Sequence, residues 1–324
     1  MWLLILLAFD PAATQATLTG GGDRRAALAA YEDLRPGEIE AARAAGHAEV
    51  VARIVVDPAA PLAERIWAVR ALGRLGGPPA LTALAPLVAV ADAPEASALA
   101  REAARALAHL DVTLLAGALG STDPEVREIA AQSGAGAERL CALLADPWPS
   151  VRVAAARGLQ AHPTHAGCLA GALADLDRRV QAAAARSATS VKLPALRAPL
   201  RSLAGGTQAP LDARAEAFMA LAALGDFEPA ERALAAHLAG GGSEPLAEAA
   251  IRALTLRGTP EDRAHLRAAL DSASPAVRAA AGRALTELQD TDATPRIRAR
   301  TEDTPGLRGL RPVEDRDPAD SDPE

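Results

Sequence analysis

Between residues 47 and 290 the apolar positions recur three and four apart in short runs, and each run ends at a turn. That period belongs to helices with one buried face. It predicts eight short first helices: Glu49–Val56, Ala80–Val90, Val112–Leu119, Ala137–Ala145, Ala166–Ala174, Ala195–Leu203, Ala230–Leu238 and Ala264–Leu270. A second helix follows each one. Its start is marked by helix-opening chemistry. Asp123-Pro124 and Ser274-Pro275 each offer a side-chain cap and a proline that needs no N–H in the first turn. Trp148-Pro149 and Glu244-Pro245 place proline in the same way. Glycine breaks at Gly76-Gly77, Gly205-Gly206 and Gly240-Gly241-Gly242 fall between helices.

The second helices share a frame. Arg152-Val-Ala-Ala-Ala-Arg157-Gly-Leu159 and Arg278-Ala-Ala-Ala-Gly-Arg283-Ala-Leu285 have Arg, then Arg five later, then Leu two later. Arg65, Arg70 and Leu72 fit it, and so do Arg214 with Leu221, Arg105 with Leu107, Arg252 with Leu254, and Gln181 with Arg186. The first slot falls at 65, 100, 127, 152, 181, 214, 247 and 278, a step of 25 to 35 residues. Such a period identifies a stacked repeat array, because one helix pair cannot bury its own apolar faces. The expected fold is all-α, an α-solenoid of about eight helix pairs. Residues 17–46 are expected to form an irregular helical cap ahead of the array at 47–290.

The Asp-Pro turns and the Val-Arg and Ala-Ala-Ala-Arg-x-Leu stretches resemble the HEAT-repeat family, especially its short bacterial phycobilisome-lyase HEAT-like form. The resemblance covers roughly residues 47–290. It implies a ladder between adjacent repeats in which turn aspartates meet second-helix arginines. Asp57, Asp123, Asp146 and Asp271, with Arg65, Arg127, Arg152 and Arg278, match that pattern. The second, fifth, sixth and seventh units depart from it. One HEAT-like enzyme family binds iron through His-Glu pairs, and no such pair occurs in this sequence.

Composition sharpens this picture. About a quarter of the 324 residues are Ala, 2% are aromatic, and Lys192 is the sole lysine beside 33 Arg. Alanine favours helix over strand. Few aromatics leave little for stacking on bases, and a net charge of −7 opposes a nucleic-acid wrap. No phosphate-cradling glycine motif and no nucleophile elbow is present. His162 and His165 share a loop, where Cys168 or Asp175 would be needed to complete a metal site; a polar loop is the expected reading. Cys141 and Cys168 lie one repeat apart and are read as small apolar residues, with a bridge as the alternative. Trp67 is expected in the core. Trp148, between two prolines, is the candidate partner contact; the competing reading packs it over helix ends.

The two ends differ from the array. Residues 1–16 read as a secretory signal: an apolar run to Phe9, then small residues with cleavage after Ala16. The alternative is an apolar helix tucked under the fold. Thr291–Glu324 is rich in Pro, Arg and acid and is expected to be a disordered tail; its last twelve residues hold six acids. Taken together, the expectation is an exported, monomeric, non-enzymatic scaffold without cofactor or transmembrane helix. It would hold a protein or peptide partner on a concave face. A bilin-lyase-like subunit or a HEAT-like DNA-binding protein is the alternative.

Overall fold

The structure is a computed structural model and describes residues 9–20, 22–88, 94–225, 235–239, 243–308 and 310. No strand occurs among them. The chain divides into two compact units, 1–158 and 159–324.

In the first unit, α1 (Pro11–Gly20), α2 (Arg24–Ala29) and α3 (Pro36–Ala44) precede the array. The helix pairs are α4 (His47–Val56) with α5 (Leu62–Leu75), and α6 (Gly77–Leu84) with α7 (Pro94–Leu110). Next come 3₁₀ turns at Val112–Leu115 and Ala118–Gly120 with α8 (Pro124–Gln132), then α9 (Ala137–Leu143) with α10 (Pro149–Gly158). Successive second helices α5, α7, α8 and α10 pack side by side. Small residues set their spacing. A Cβ on Gly158 would stand 2.1 Å from the Ala131 carbonyl oxygen, so only glycine permits that approach.

The second unit repeats the plan. A 3₁₀ turn at Pro163–Cys168 and the short α11 (Leu169–Ala172) pair with α12 (Arg178–Val191). Then α13 (Arg197–Gly205) pairs with α14 (Leu211–Ala223). Residues 235–239 are helical and precede α15 (Glu244–Arg257), and α16 (Pro260–Ala269) pairs with α17 (Pro275–Glu287). Most of the expected first helix Ala230–Leu238, and the Gly240–Gly242 break, lie outside the described residues.

Three differences from the sequence reading emerge. The expected first helices at 112–119 and 166–174 shorten into 3₁₀ turns with at most one α-helical turn. Residues 291–308, expected to belong to a disordered tail, are folded. Residues 294–299 form α18 (Thr294–Ala299), a 3₁₀ turn follows at Pro305–Leu307, and Ile297 and Leu307 are buried. Those few apolar side chains suffice because Leu307 fills the space that Gly282 leaves on α17. Arg278 secures the same segment. It is 7% exposed, and its Nε donates to the Thr304 hydroxyl (2.7 Å) while Nη2 donates to the Asp303 carbonyl (2.9 Å). Residues 311–324 lie outside the described residues. The third difference is Trp67, which is part-buried rather than fully enclosed in the core.

Most of the apolar run of the expected signal, residues 1–8, is outside the described residues. Its small-residue segment lies in α1, and Leu18 of that helix is buried. Phe9 stands edge-on to Tyr31 and His47, each at 6.0 Å between ring centroids. Tyr31 and His47 are buried, and the Tyr31 hydroxyl bonds His47 Nδ1 at 2.5 Å. Burial pushes the Tyr31 phenol up. It pushes the His47 imidazole below its ordinary 6.5, against a smaller opposite pull from the Pro11 carbonyl.

The buried groups have measurable consequences. A base whose folded pKa is depressed binds fewer protons folded than unfolded, so stability falls as pH drops below about 6.5 and levels off below the folded value. Thermal melts from pH 7.5 to 5.0 should therefore lose stability in this window, and His47→Gln should flatten the loss. An unchanged slope in the variant removes the assignment. Replacing Arg278 with Met keeps the apolar stem but orphans its carbonyl partners. It should cost about 2–4 kcal/mol in urea denaturation and speed tryptic cleavage at Arg300 and Arg308.

Candidate second-helix face

Two sets of arginines with different duties emerge from the frame. The first-slot residues face inward to the turns. The last carbonyls of a helix have no partner of their own, and a cation is favourable there. Arg127 Nη1 donates to the Ser121 carbonyl (2.7 Å), Arg152 Nη1 to Asp146 (3.0 Å) and Arg278 Nη1 to Ser272 (2.8 Å). Gln181 Nε2 donates to Asp175 (2.7 Å) in the same register, six residues back. Where the turn is longer the reach becomes ten residues: Arg65 Nε to Val55 and Arg214 Nε to Ala204, both 3.0 Å.

The expected Asp–Arg ladder is placed as follows. Arg127 meets Asp146 of the next repeat in a bidentate pair at 2.8 and 3.1 Å, nearly buried on both sides. Arg278 reaches Asp303 at 3.8 Å. Asp123 caps α8 through the Glu125 N–H and takes Arg101 at 2.8 Å. Burial raises the Asp123 carboxyl, but Arg101 and the Glu125 N–H outweigh it and hold the group below its ordinary value. Asp271 binds Arg296 and, at 3.0 Å, Arg300 of the C-terminal segment. Asp57 stays exposed, its carboxylate accepts from the Ala59 N–H (2.9 Å), and Asp57 and Arg65 are not brought together.

The fifth-slot arginines point outward on the second helices. In the first unit the Arg70 guanidinium lies 5.0 Å over Trp67 and pairs with Glu102 at 3.1 and 3.2 Å. Arg105 pairs with Glu102 (2.8 Å) and with Glu125. The Glu102 hydrogen bond raises the Arg70 pKa, with burial opposing. This network frames a groove of about 340 Å³ lined by Glu32, Arg70, Arg74, Glu102, Arg105 and His109. A second groove of about 490 Å³ shares Arg105 and His109 and is also lined by Ile129, Gln132 and Ser133. In the second unit Arg186 pairs with Glu216 at 2.5 Å. A groove of about 220 Å³ lies between α15 and α17. Sequence reading placed the fifth-slot arginines in the frame but not at a site. The signal available was Glu102 and Glu216, each one repeat beyond an arginine.

Other candidates resolve simply. Trp148 is 56% exposed, and its N–H donates to Asp146 Oδ1 (2.9 Å). Both cysteines are half-buried and disulfide-bonded, which corrects the reading of two packed thiols. Cys168 closes a 3₁₀ turn rather than lying on an α-helix. Among the described residues no three His, Cys, Asp or Glu form a metal-holding group, and no helix is long and apolar enough to cross a membrane.

The repeat geometry agrees with a family match. Residues 231–309 match the model for HEAT repeats. An engineered protein of known structure is similar over 92% of this chain and 93% of its own, with TM-score 0.51 and 22% identity. A mutant of Kap121p is similar over 90% of this chain but 38% of its own, with TM-score 0.55 and 14% identity. At these identities the likeness concerns the fold, an α-solenoid of stacked helix pairs. No curated protein matches the chain.

Proposed function

We propose that this HEAT-repeat chain is a non-enzymatic scaffold that binds a protein or peptide along its exposed second-helix face. The observation that carries the reading is the Arg70–Glu102–Arg105–Glu125 network with its two adjoining grooves. Both signs of charge alternate there, beside Trp67 and Ile129. Such a face suits a polypeptide, which offers charge of both signs and apolar side chains. It suits a nucleic-acid backbone poorly, because the arginines are already held by carboxylates. Surface pairs of this kind contribute about 0–1 kcal/mol each, so a partner can exchange them at little cost. Trp148 offers a second, apolar contact.

Affinity purification after cross-linking in the native host supplies the partner. The double charge reversal Arg70→Glu, Arg105→Glu should then weaken its binding at least ten-fold, without changing the helical content or melting point. Equal binding by the variant, or a turnover activity in the purified chain, overturns the reading.

We infer export as well. The signal-like N-terminus motivates it, and the disulfide-bonded cysteines support it, since structural disulfides belong to oxidising compartments. Residues 1–30 fused to a reporter active only outside the cytoplasm should give signal, and the natural protein should carry no free thiol. A silent fusion with reduced cysteines refutes export.

A further inference from the structure

One groove of the second unit gathers charges that the chain leaves unanswered. On the face of the first unit, Arg70, Glu102, Arg105 and Glu125 neutralise one another. The groove of about 220 Å³ between α15 and α17 is lined by Glu248, Arg252, Arg283 and Glu287. None of these four side chains has a hydrogen-bonding or ionic partner among the described residues. Arg252, Arg283 and Glu287 are exposed, and Glu248 is half-buried. Leu256, 64% exposed, completes the α15 wall.

The repeat frame sets these groups in levels. Its first slot is Ala247 on α15 and Arg278 on α17. Arg252 therefore stands level with Arg283, and Leu256 with Glu287. Glu248 lies one turn before the arginine level, across from Ala280. Packed helix axes are about 8–10 Å apart, so two long guanidinium side chains can close on one carboxylate between them. Levels four residues apart on a helix are separated by about 6 Å. Two residues of an extended peptide advance about 6.6 Å, and alternate side chains share one face. One face of an extended peptide thus meets successive levels in turn.

We propose that this groove binds an extended peptide segment with a basic, an acidic and a basic side chain at alternate positions. The central carboxylate is clamped by Arg252 and Arg283, much as Arg70 and Arg105 share the carboxylate of Glu102. One outer cation meets Glu248. The other meets Glu287 while its methylene stem covers Leu256. The pattern reads alike in both chain directions. Charge order selects this occupant: a nucleic-acid backbone or an all-acidic segment would set anions against Glu248 and Glu287. The proposal rests on the reading of the second-helix face as a polypeptide surface, and it adds a separate site with its own sequence preference.

Three fluorescent peptides with blocked termini test it on the full chain by fluorescence anisotropy. They are Lys-Val-Glu-Val-Lys, the neutral-centre Lys-Val-Gln-Val-Lys and the charge-reversed Glu-Val-Lys-Val-Glu. The first is expected to bind about ten-fold tighter than either of the others. In Arg252→Gln with Arg283→Gln the preference for Glu over Gln at the centre should fall to about two-fold or less, at unchanged helical content. Glu248→Gln with Glu287→Gln should weaken the first peptide about five-fold. The variant Arg70→Glu, Arg105→Glu should keep the peptide preference, whereas the scaffold reading is judged on that variant's native partner, so the two readings can fail separately. Absence of binding at millimolar Lys-Val-Glu-Val-Lys, equal binding of the three peptides, or a preference for Glu that survives in Arg252→Gln, Arg283→Gln would each overturn the proposal.

Discussion

The fold depends on one recurring interaction: a first-slot side chain on each second helix reaching back to the carbonyls where the preceding helix or turn ends. A short first helix leaves unpaired carbonyls over much of its length, and a pair of such helices has few residues over which to bury a face. Arg127, Arg152, Gln181 and Arg278 satisfy those carbonyls six residues back, and Arg65 and Arg214 do so ten back. Gln181 shows which property matters. It has no charge, yet it makes the same bond, so donor geometry sets the register and the cation adds to it. The turn is thereby fixed, and the angle between the two helices of a pair is fixed with it.

Alanine then does what bulkier residues do elsewhere. Ala103, Ala104, Ala130, Ala131, Ala155 and Ala156 are buried on successive second helices of the first unit. Small side chains bring backbones together, and dispersion attraction at short range replaces some of the area that aromatics would bury. The limit of this strategy is Gly158, where even a methyl group would strike the Ala131 carbonyl. The same economy explains why so few apolar residues hold the C-terminal segment. Ile297 and Leu307 dock because the surface beneath them is made of Ala279 and Gly282.

That segment marks where the sequence stopped being legible. The helix periodicity, the Asp123-Pro124 and Ser274-Pro275 starts and the Arg-x-x-x-x-Arg frame all specify local structure, and each is readable because it repeats. Residues 291–308 do not repeat the frame. Their order comes from Arg278, more than twenty residues earlier, binding Asp303 and Thr304, a pairing with no local signature. Trp67 was misjudged for a related reason. An aromatic on an apolar helix reads as core, but Trp67 is part-buried, with the Arg70 guanidinium over its ring. The candidate site was half legible: the fifth-slot arginines were visible, while their partners sit about one repeat away and needed the stack to bring them together.

The two arginine sets also differ in what they can give up. A nearly buried pair such as Arg127–Asp146 leaves an uncompensated charge if either partner goes, a loss of several kcal/mol in typical cases. An exposed pair such as Arg105–Glu125 is hydrated on both sides and is worth about 1 kcal/mol or less. A protein that must hold its shape while exchanging partners needs both kinds, separated in space. The frame achieves this within one helix: five residues is about one and a half turns, so the first slot and the fifth project to different sides. The first can staple the turn while the fifth stays available. The inner arginine is bound to the stack, and the outer one changes its partner from repeat to repeat: Arg70 takes Glu102, Arg105 takes Glu102 and Glu125, and Arg186 takes Glu216.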